Sequence, residues 1–118
     1  MRRSRGETGR DAEALVAARL ENQGYVILGR NVRVGRLELD VIARRGSIVV
    51  VCEVRARSHA RFAEPVASID RAKIDRIRRA TAQWLIHADL GDIFVRFDAA
   101  SVVFDQDPPR IEYYEEAF

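Results

Sequence analysis

Cysteine and histidine are scarce in this chain, and each scarcity removes a class of answer. Among 118 residues there is one cysteine, Cys52, so no intrachain disulfide can form and a disulfide-stapled secreted scaffold is excluded. The two histidines, His59 and His87, stand far apart and both read as surface residues, so no Cys/His set has zinc-ligand spacing. There is no glycine-rich phosphate loop and no serine in a nucleophile elbow. No apolar run approaches the length that crosses a bilayer. The basic opening, with Arg2, Arg3, Arg5 and Arg10, is not followed by the apolar core of a secretory signal. A cytoplasmic protein is expected, with no membrane partner and no small-molecule cofactor.

What is present is a core and a great deal of arginine. The chain is 47% hydrophobic, which suits one domain of this length. Its twenty basic residues are nineteen arginines and a single lysine, Lys73. Arginine presents a rigid donor fork suited to phosphate, although a biased genome supplies the same excess. The formal net charge of +2 does not by itself demand a polyanionic partner. The local distribution says more, because Arg71, Arg76, Arg78 and Arg79 cluster around Lys73.

Periodicity places the elements. Residues 1–8 read as a disordered basic segment. From Gly9 to Gln23 the stripe Ala12, Leu15, Val16 and Leu20 predicts a helix, with Gly24 as its stop. Tyr25 to Leu28 is a strand running on toward Asn31–Val34. Two further strands follow, at 35–42 and 48–57, and a loop containing Pro65 covers 58–68. Asp70 caps a second helix whose stripe is Ile74, Ile77, Ala80, Trp84 and Leu85. Strands at 93–97 and 100–104, a break at Asp107-Pro108-Pro109, an edge strand at 111–114 and a fraying acidic tail at 115–118 complete the chain. One domain over 9–114 is expected, in the order α-β-β-β-α-β-β: an α/β fold with a mixed sheet flanked by helices.

The two central strands carry the charges of interest. Arg45-Gly46 signals the turn between them, and a two-residue loop there pairs 44 with 47 and 38 with 53. Glu38, Asp40 and Glu53 then share one patch of sheet, with Arg55 beside Glu53; a four-residue loop keeps that parity, whereas a three-residue loop would throw Glu53 to the opposite face. Opposed like charges destabilise a strand pair, and a bound cation would remove that penalty. The plain alternative is a set of solvated charges on an open sheet. Two details favour a site. Residues 48–52 are apolar on both faces, as in a covered strand, and the charges begin only at its carboxyl end, where ligand sites of open α/β sheets lie. Glu13 flanks the first helix's apolar stripe, a place where most glutamates are solvated. Asp98 reads as a turn former, Cys52 and Trp84 as core, and Phe62 as a side chain able to stack on a base.

In order, Glu13 on a helix, Gly24-Tyr25, Arg30-Asn31 and Arg33, Glu38-Leu39-Asp40, Glu53-Val54-Arg55-Ala56-Arg57, Lys73 and Arg96-Phe97-Asp98 resemble the YraN family. That family is similar to Holliday-junction resolvases and to the restriction-endonuclease-like PD-(D/E)xK nucleases. The resemblance spans residues 9–104. It implies a restriction-endonuclease-like fold, with Asp40 and Glu53 binding Mg²⁺ or Mn²⁺, Glu13 adding a ligand and residue 55 acting as the catalytic cation. Glu38 is an additional acidic candidate. The chain departs from the family at two places. Arg55 stands where the family has lysine, and Ala12 stands where it usually has glycine. Arginine keeps the charge but does not readily give up a proton.

The expectation is therefore a metal-dependent nuclease-like protein acting on DNA, branched forms included. Arg33, Arg36, Arg57 and Lys73 would hold the backbone without base specificity. The rival is a catalytically impaired nucleic-acid-binding module, marked by Arg55. A homodimer is an open option in either case.

Overall fold

The computed structural model describes residues 5–58 and 69–118. Seven elements follow in chain order: α1 (Arg5–Asn22), β1 (Val26–Val34), β2 (Leu37–Arg45), β3 (Ile48–Arg57), α2 (Arg71–Ala88), β4 (Phe94–Val103) and β5 (Arg110–Tyr114). The helical backbone of α1 starts at Arg5, inside the stretch expected to be disordered and ahead of the Gly9 start that the apolar stripe suggests. The 58–68 loop beyond Ser58, with His59, Phe62 and Pro65, lies outside the described residues, as do Arg2 and Arg3.

The strands form one sheet in the order β1-β2-β3-β4-β5. Neighbours are antiparallel except β3 and β4, which run parallel and are joined through α2. α1 covers one face, where Ala12, Val16 and Leu20 pack on Val41, Ala43, Val50, Cys52, Ala100 and Val102. α2 covers the other, with Ile77 and Ala80 against Leu39, Ile42, Val49 and Val51. β3 is thus buried on both sides, which accounts for its unbroken apolar run. Asp70 caps α2 as expected, its carboxylate accepting from the Lys73 backbone N at 2.8 Å.

The β1–β2 and β2–β3 hairpins each turn on a glycine in the first loop position, Gly35 before Arg36 (φ +62°) and Gly46 before Ser47 (φ +61°). Two-residue loops with a leading glycine match the twist of the flanking strands. This corrects the expected register. Arg45 stays in the strand and pairs with Ile48, so β2 slides two residues along β3 from the pairing of 44 with 47. A shift of two preserves which face each side chain takes.

Two other expectations change. The segment after β5 does not fray but docks. The Ala117 backbone N donates to the Phe97 carbonyl at 2.8 Å, and the Phe118 ring lies 5.5 Å from that of Phe97. Asp98 is no turn residue. It stands in the middle of β4 and is fully buried.

Candidate functional site

The β2–β3 ladder ends at Val41↔Cys52. One step further the strands part, and there the Asp40 carboxylate accepts from the Val54 backbone N at 2.9 Å. A side chain takes the place of a backbone acceptor, so Asp40 stands in the fork of the two strands. The fork coincides with an irregularity in β1. Asn31 adopts φ +52°, which asparagine tolerates better than most residues. In the amide orientation that satisfies both groups, its side-chain nitrogen donates to Glu13 Oε1 at 3.1 Å.

Glu13 reaches this point from α1 and is only 7% exposed, against the expectation for a helix-edge glutamate. Burial raises its pKa, and nearby Glu38 raises it further; Arg30 and Asn31 oppose the shift. Glu13, Asn31, Glu38 and Asp40 line one hollow of about 560 Å³ on the α1 side, floored by Ala12, Val54 and Ala56. Asp40's carboxyl is pushed up to about 7, first by burial and then by Glu53, with Glu13 adding to it. Burial does most of this, and repulsion by the neighbouring carboxylates adds to it.

Glu53 arrives from the other side. Along β3, Val49 and Val51 belong to the α2-side core while Cys52 belongs to the α1-side core, so alternation turns Glu53 toward α2. It is 7% exposed, and Lys73 Nζ lies 2.6 Å from its Oε1. The expectation of three carboxylates on one sheet face is corrected accordingly. Glu38 and Asp40 open on the α1 side, Glu53 lies behind the fork on the α2 side, and the two groups interact through it. Among the described residues, no three Asp, Glu, His or Cys side chains already converge as a ligand set.

The basic residues divide. Arg55, two positions beyond Glu53, is half-buried on the same face, and Arg57 is half-buried at the strand end. Arg33 makes an exposed ion pair with Glu38 at 3.2 Å. Arg36 lies away from the fork, against α2. Lys73, expected to hold a phosphate backbone, forms an ion pair with Glu53. Sequence reasoning missed Lys73's contact and Asn31's role. The signals were present: the only lysine of an arginine-rich chain, and a lone asparagine inside a strand.

A second charged cluster lies further back. Asp98 accepts from Arg96 Nε and Nη2, each at 2.9 Å, from the Tyr113 hydroxyl at 2.5 Å and from the Glu116 backbone N at 3.0 Å. Arg96 also donates to the Tyr25 hydroxyl at 3.1 Å. The hydrogen bond to Asp98 raises the Arg96 pKa, while burial raises that of Tyr113. Cys52, beside this cluster, is buried, and burial pushes its thiol upward.

A mixed five-stranded sheet between two helices, with acids gathered where its central strands part, defines an α/β domain of restriction-endonuclease-like architecture. The comparisons with known proteins carry this to a family. The family model described as Uncharacterised protein family UPF0102 matches residues 12–102. A UPF0102 protein of Streptomyces coelicolor is 39% identical over 105 residues, covering 87% of this chain and 81% of the relative. One of Bacteroides thetaiotaomicron is 38% identical over 112 residues, covering 95% and 92%. One of Acidothermus cellulolyticus is 38% identical over 126 residues, covering 98% and 96%. The chain belongs to this family, the YraN family that its motifs resemble.

Proposed function

We propose that the chain is a metal-dependent nuclease-like protein whose reacting centre is the fork between β2 and β3. The observation that carries this reading is Asp40's position, in the opening of two strands, with Glu13 on one side and Glu53 on the other. The donor chemistry fits Mg²⁺ or Mn²⁺, because hard carboxylate oxygens suit both ions and a cation relieves the mutual repulsion of these acids. Asp40, Glu53 and Glu13 would hold the ion, with Glu38 at the rim. Among the described residues these side chains do not form a converged ligand set. A divalent ion there supplies activation of water and polarisation of a phosphate.

The chain's own residues supply the rest. Val54's backbone N fixes the Asp40 carboxylate, and Asn31 orients Glu13. Lys73 places an ammonium against Glu53 from the α2 side. Arg55 keeps a fixed charge at motif position 55, whereas a group able to orient water and exchange a proton suits an ammonium better than a guanidinium. Lys73 therefore takes the role that Arg55 leaves open. Arg57 and Arg33 add positive charge at the rim for a DNA backbone.

The rival, a nucleic-acid-binding module without catalysis, is favoured by Arg55 itself. Incubating branched and linear DNA with Mn²⁺ separates the two, with Asp40→Ala and Lys73→Ala run alongside. Metal-dependent cleavage by the wild type, lost in both variants, is the expected result. No cleavage of any DNA form by the wild type or by Arg55→Lys, with binding retained, leaves the rival.

A further inference from the structure

The opposite face of the β1–β2 hairpin carries a groove that the fork does not use. α2 holds Arg71, Lys73, Arg76, Arg78 and Arg79 against a single acid, Asp75. Two of these bases are engaged inside the molecule. Lys73 pairs with Glu53, and Arg78 lies over the Phe97 ring, 4.7 Å from its centre. Arg76 and Arg79 are exposed and turn toward the hairpin, where they meet Arg36 of the β1–β2 turn across a hollow of about 420 Å³. Val34, Leu37 and Ala80 form its apolar floor, and among the described residues no carboxylate lines it. Among the described residues, no carboxylate forms an ion pair with any of these three guanidinium groups.

The hollow continues. A second one, of about 500 Å³, shares Val34 and Gln83 with the first and adds Arg33, Trp84 and His87. Three arginines facing one another without an acid repel, and an anion in the groove turns that repulsion into attraction. Guanidinium forks suit phosphate oxygens in pairs. The apolar floor suits sugar rings, and two joined hollows suit a chain of phosphates better than a single ion. Trp84 is half-buried against the α2-side core, and the guanidinium groups that line the groove suit backbone rather than base. The groove shares helix α2 with Lys73, the partner of Glu53. Lys73 and Arg79 are six residues apart on α2, about 9 Å along its axis.

We propose that the groove between α2 and the β1–β2 hairpin binds the phosphate backbone of a nucleic acid. A strand held at the fork would then have a second length of its own backbone, or another arm of a branched molecule, clamped on the far side of the hairpin. This placement of the substrate rests on the nuclease reading, but binding by the groove does not.

The test is equilibrium binding of a fluorescent DNA duplex to the full chain in EDTA, where no cleavage occurs, across a salt series. The variants are Arg76→Glu with Arg79→Glu on the helix and, independently, Arg36→Glu on the hairpin, each checked for a native melting transition. Affinity should fall at least tenfold in the double variant, and the slope of log K against log salt should drop by about two, one unit for each phosphate no longer held. Arg36→Glu should show the same defect at about half the size and stands as the measurement if the double variant fails to fold. Unchanged affinity and slope would overturn the groove, as would a wild type that binds no DNA. So would groove-dependent capture of polyglutamate with DNA ignored, since an acidic peptide would then be the occupant. Cleavage assays on the same proteins keep the two readings apart. A wild type that binds through the groove yet cuts nothing loses only the nuclease reading, and one that cuts while groove variants bind normally loses only the groove.

Discussion

Two aspartates of this one sheet stand in opposite surroundings. Asp98 has two guanidinium donors, a phenol and a backbone amide on its oxygens, all at 2.5–3.0 Å, and is completely buried. Asp40 has a single backbone donor, and its nearest charged neighbours include Glu53 and Glu13. The first is an acid whose oxygens the fold has answered bond for bond. The second is one whose ionised form the fold resists, held at about pKa 7 by burial and like charge. A buried charge with every lone pair met holds elements together; here it ties β4 to β5 and to the chain's last residues. A half-buried charge set against its own kind is stable only with help from outside, which makes it a candidate for chemistry.

The widest gap between the two should appear in stability. Asp98→Ala strips Arg96 of its main partner and removes the acceptor of the Tyr113 hydroxyl and the Glu116 amide, so it should cost about 3–5 kcal/mol in urea unfolding. A loss under about 1 kcal/mol would erase the contrast. Divalent ion should act on the other aspartate alone. Mn²⁺ at about a hundred times its dissociation constant should stabilise the wild type by about 2.7 kcal/mol at pH 8, and little at pH 5.5, where protons compete. The same titration on Asp40→Asn should be flat, and equal metal-induced shifts in both proteins would remove Asp40 from any metal centre.

Without metal, pH sharpens the comparison further. Asp40's folded-state pKa lies above that of the unfolded chain, so its contribution to stability is present below about pH 4 and is lost as pH rises through about 7. Asp40→Asn keeps an acceptor for Val54 and removes the charge. It should therefore stabilise the metal-free protein by on the order of 1–3 kcal/mol at pH 8 and leave it nearly unchanged at pH 4. A variant less stable than wild type at pH 8 would mean that the fold does answer this charge after all. The smallest effect belongs to Arg33→Ala. The Arg33–Glu38 pair has side chains 69% and 44% exposed, so its loss should change stability by less than about 0.5 kcal/mol. A larger loss would place Glu38 in the cluster rather than at its rim.

Much of this is legible in the sequence, and what is hidden there has a physical reason. Helix α1 follows from Ala12, Val16 and Leu20, and the burial of β3 on both faces follows from Ile48 to Cys52, because side-chain periodicity is local. The hairpin register expected from the turn signal is off by two residues. It depends on whether Gly46 stands first or second in the loop, and both positions use a glycine's positive φ. Asp98 looks like a turn former because most of what holds it is remote in the chain. Arg96 is local, but Tyr113 and Glu116 arrive from β5 and the tail.

The sequence by itself determined the element order, the two apolar helix faces, the doubly covered central strand and the set of acids gathered near its end. These depend on neighbours two to four residues away. Only the tertiary structure decided how the acids divide. Asp40 sits in a fork because the ladder stops at Cys52, Glu53 turns to α2 because β3 alternates between two cores, and Lys73 reaches it because α2 crosses that face. Each of these contacts joins residues from different elements, and no local pattern encodes a distance between elements. The electrostatics followed from those distances, which is why two aspartates of one sheet ended in opposite surroundings.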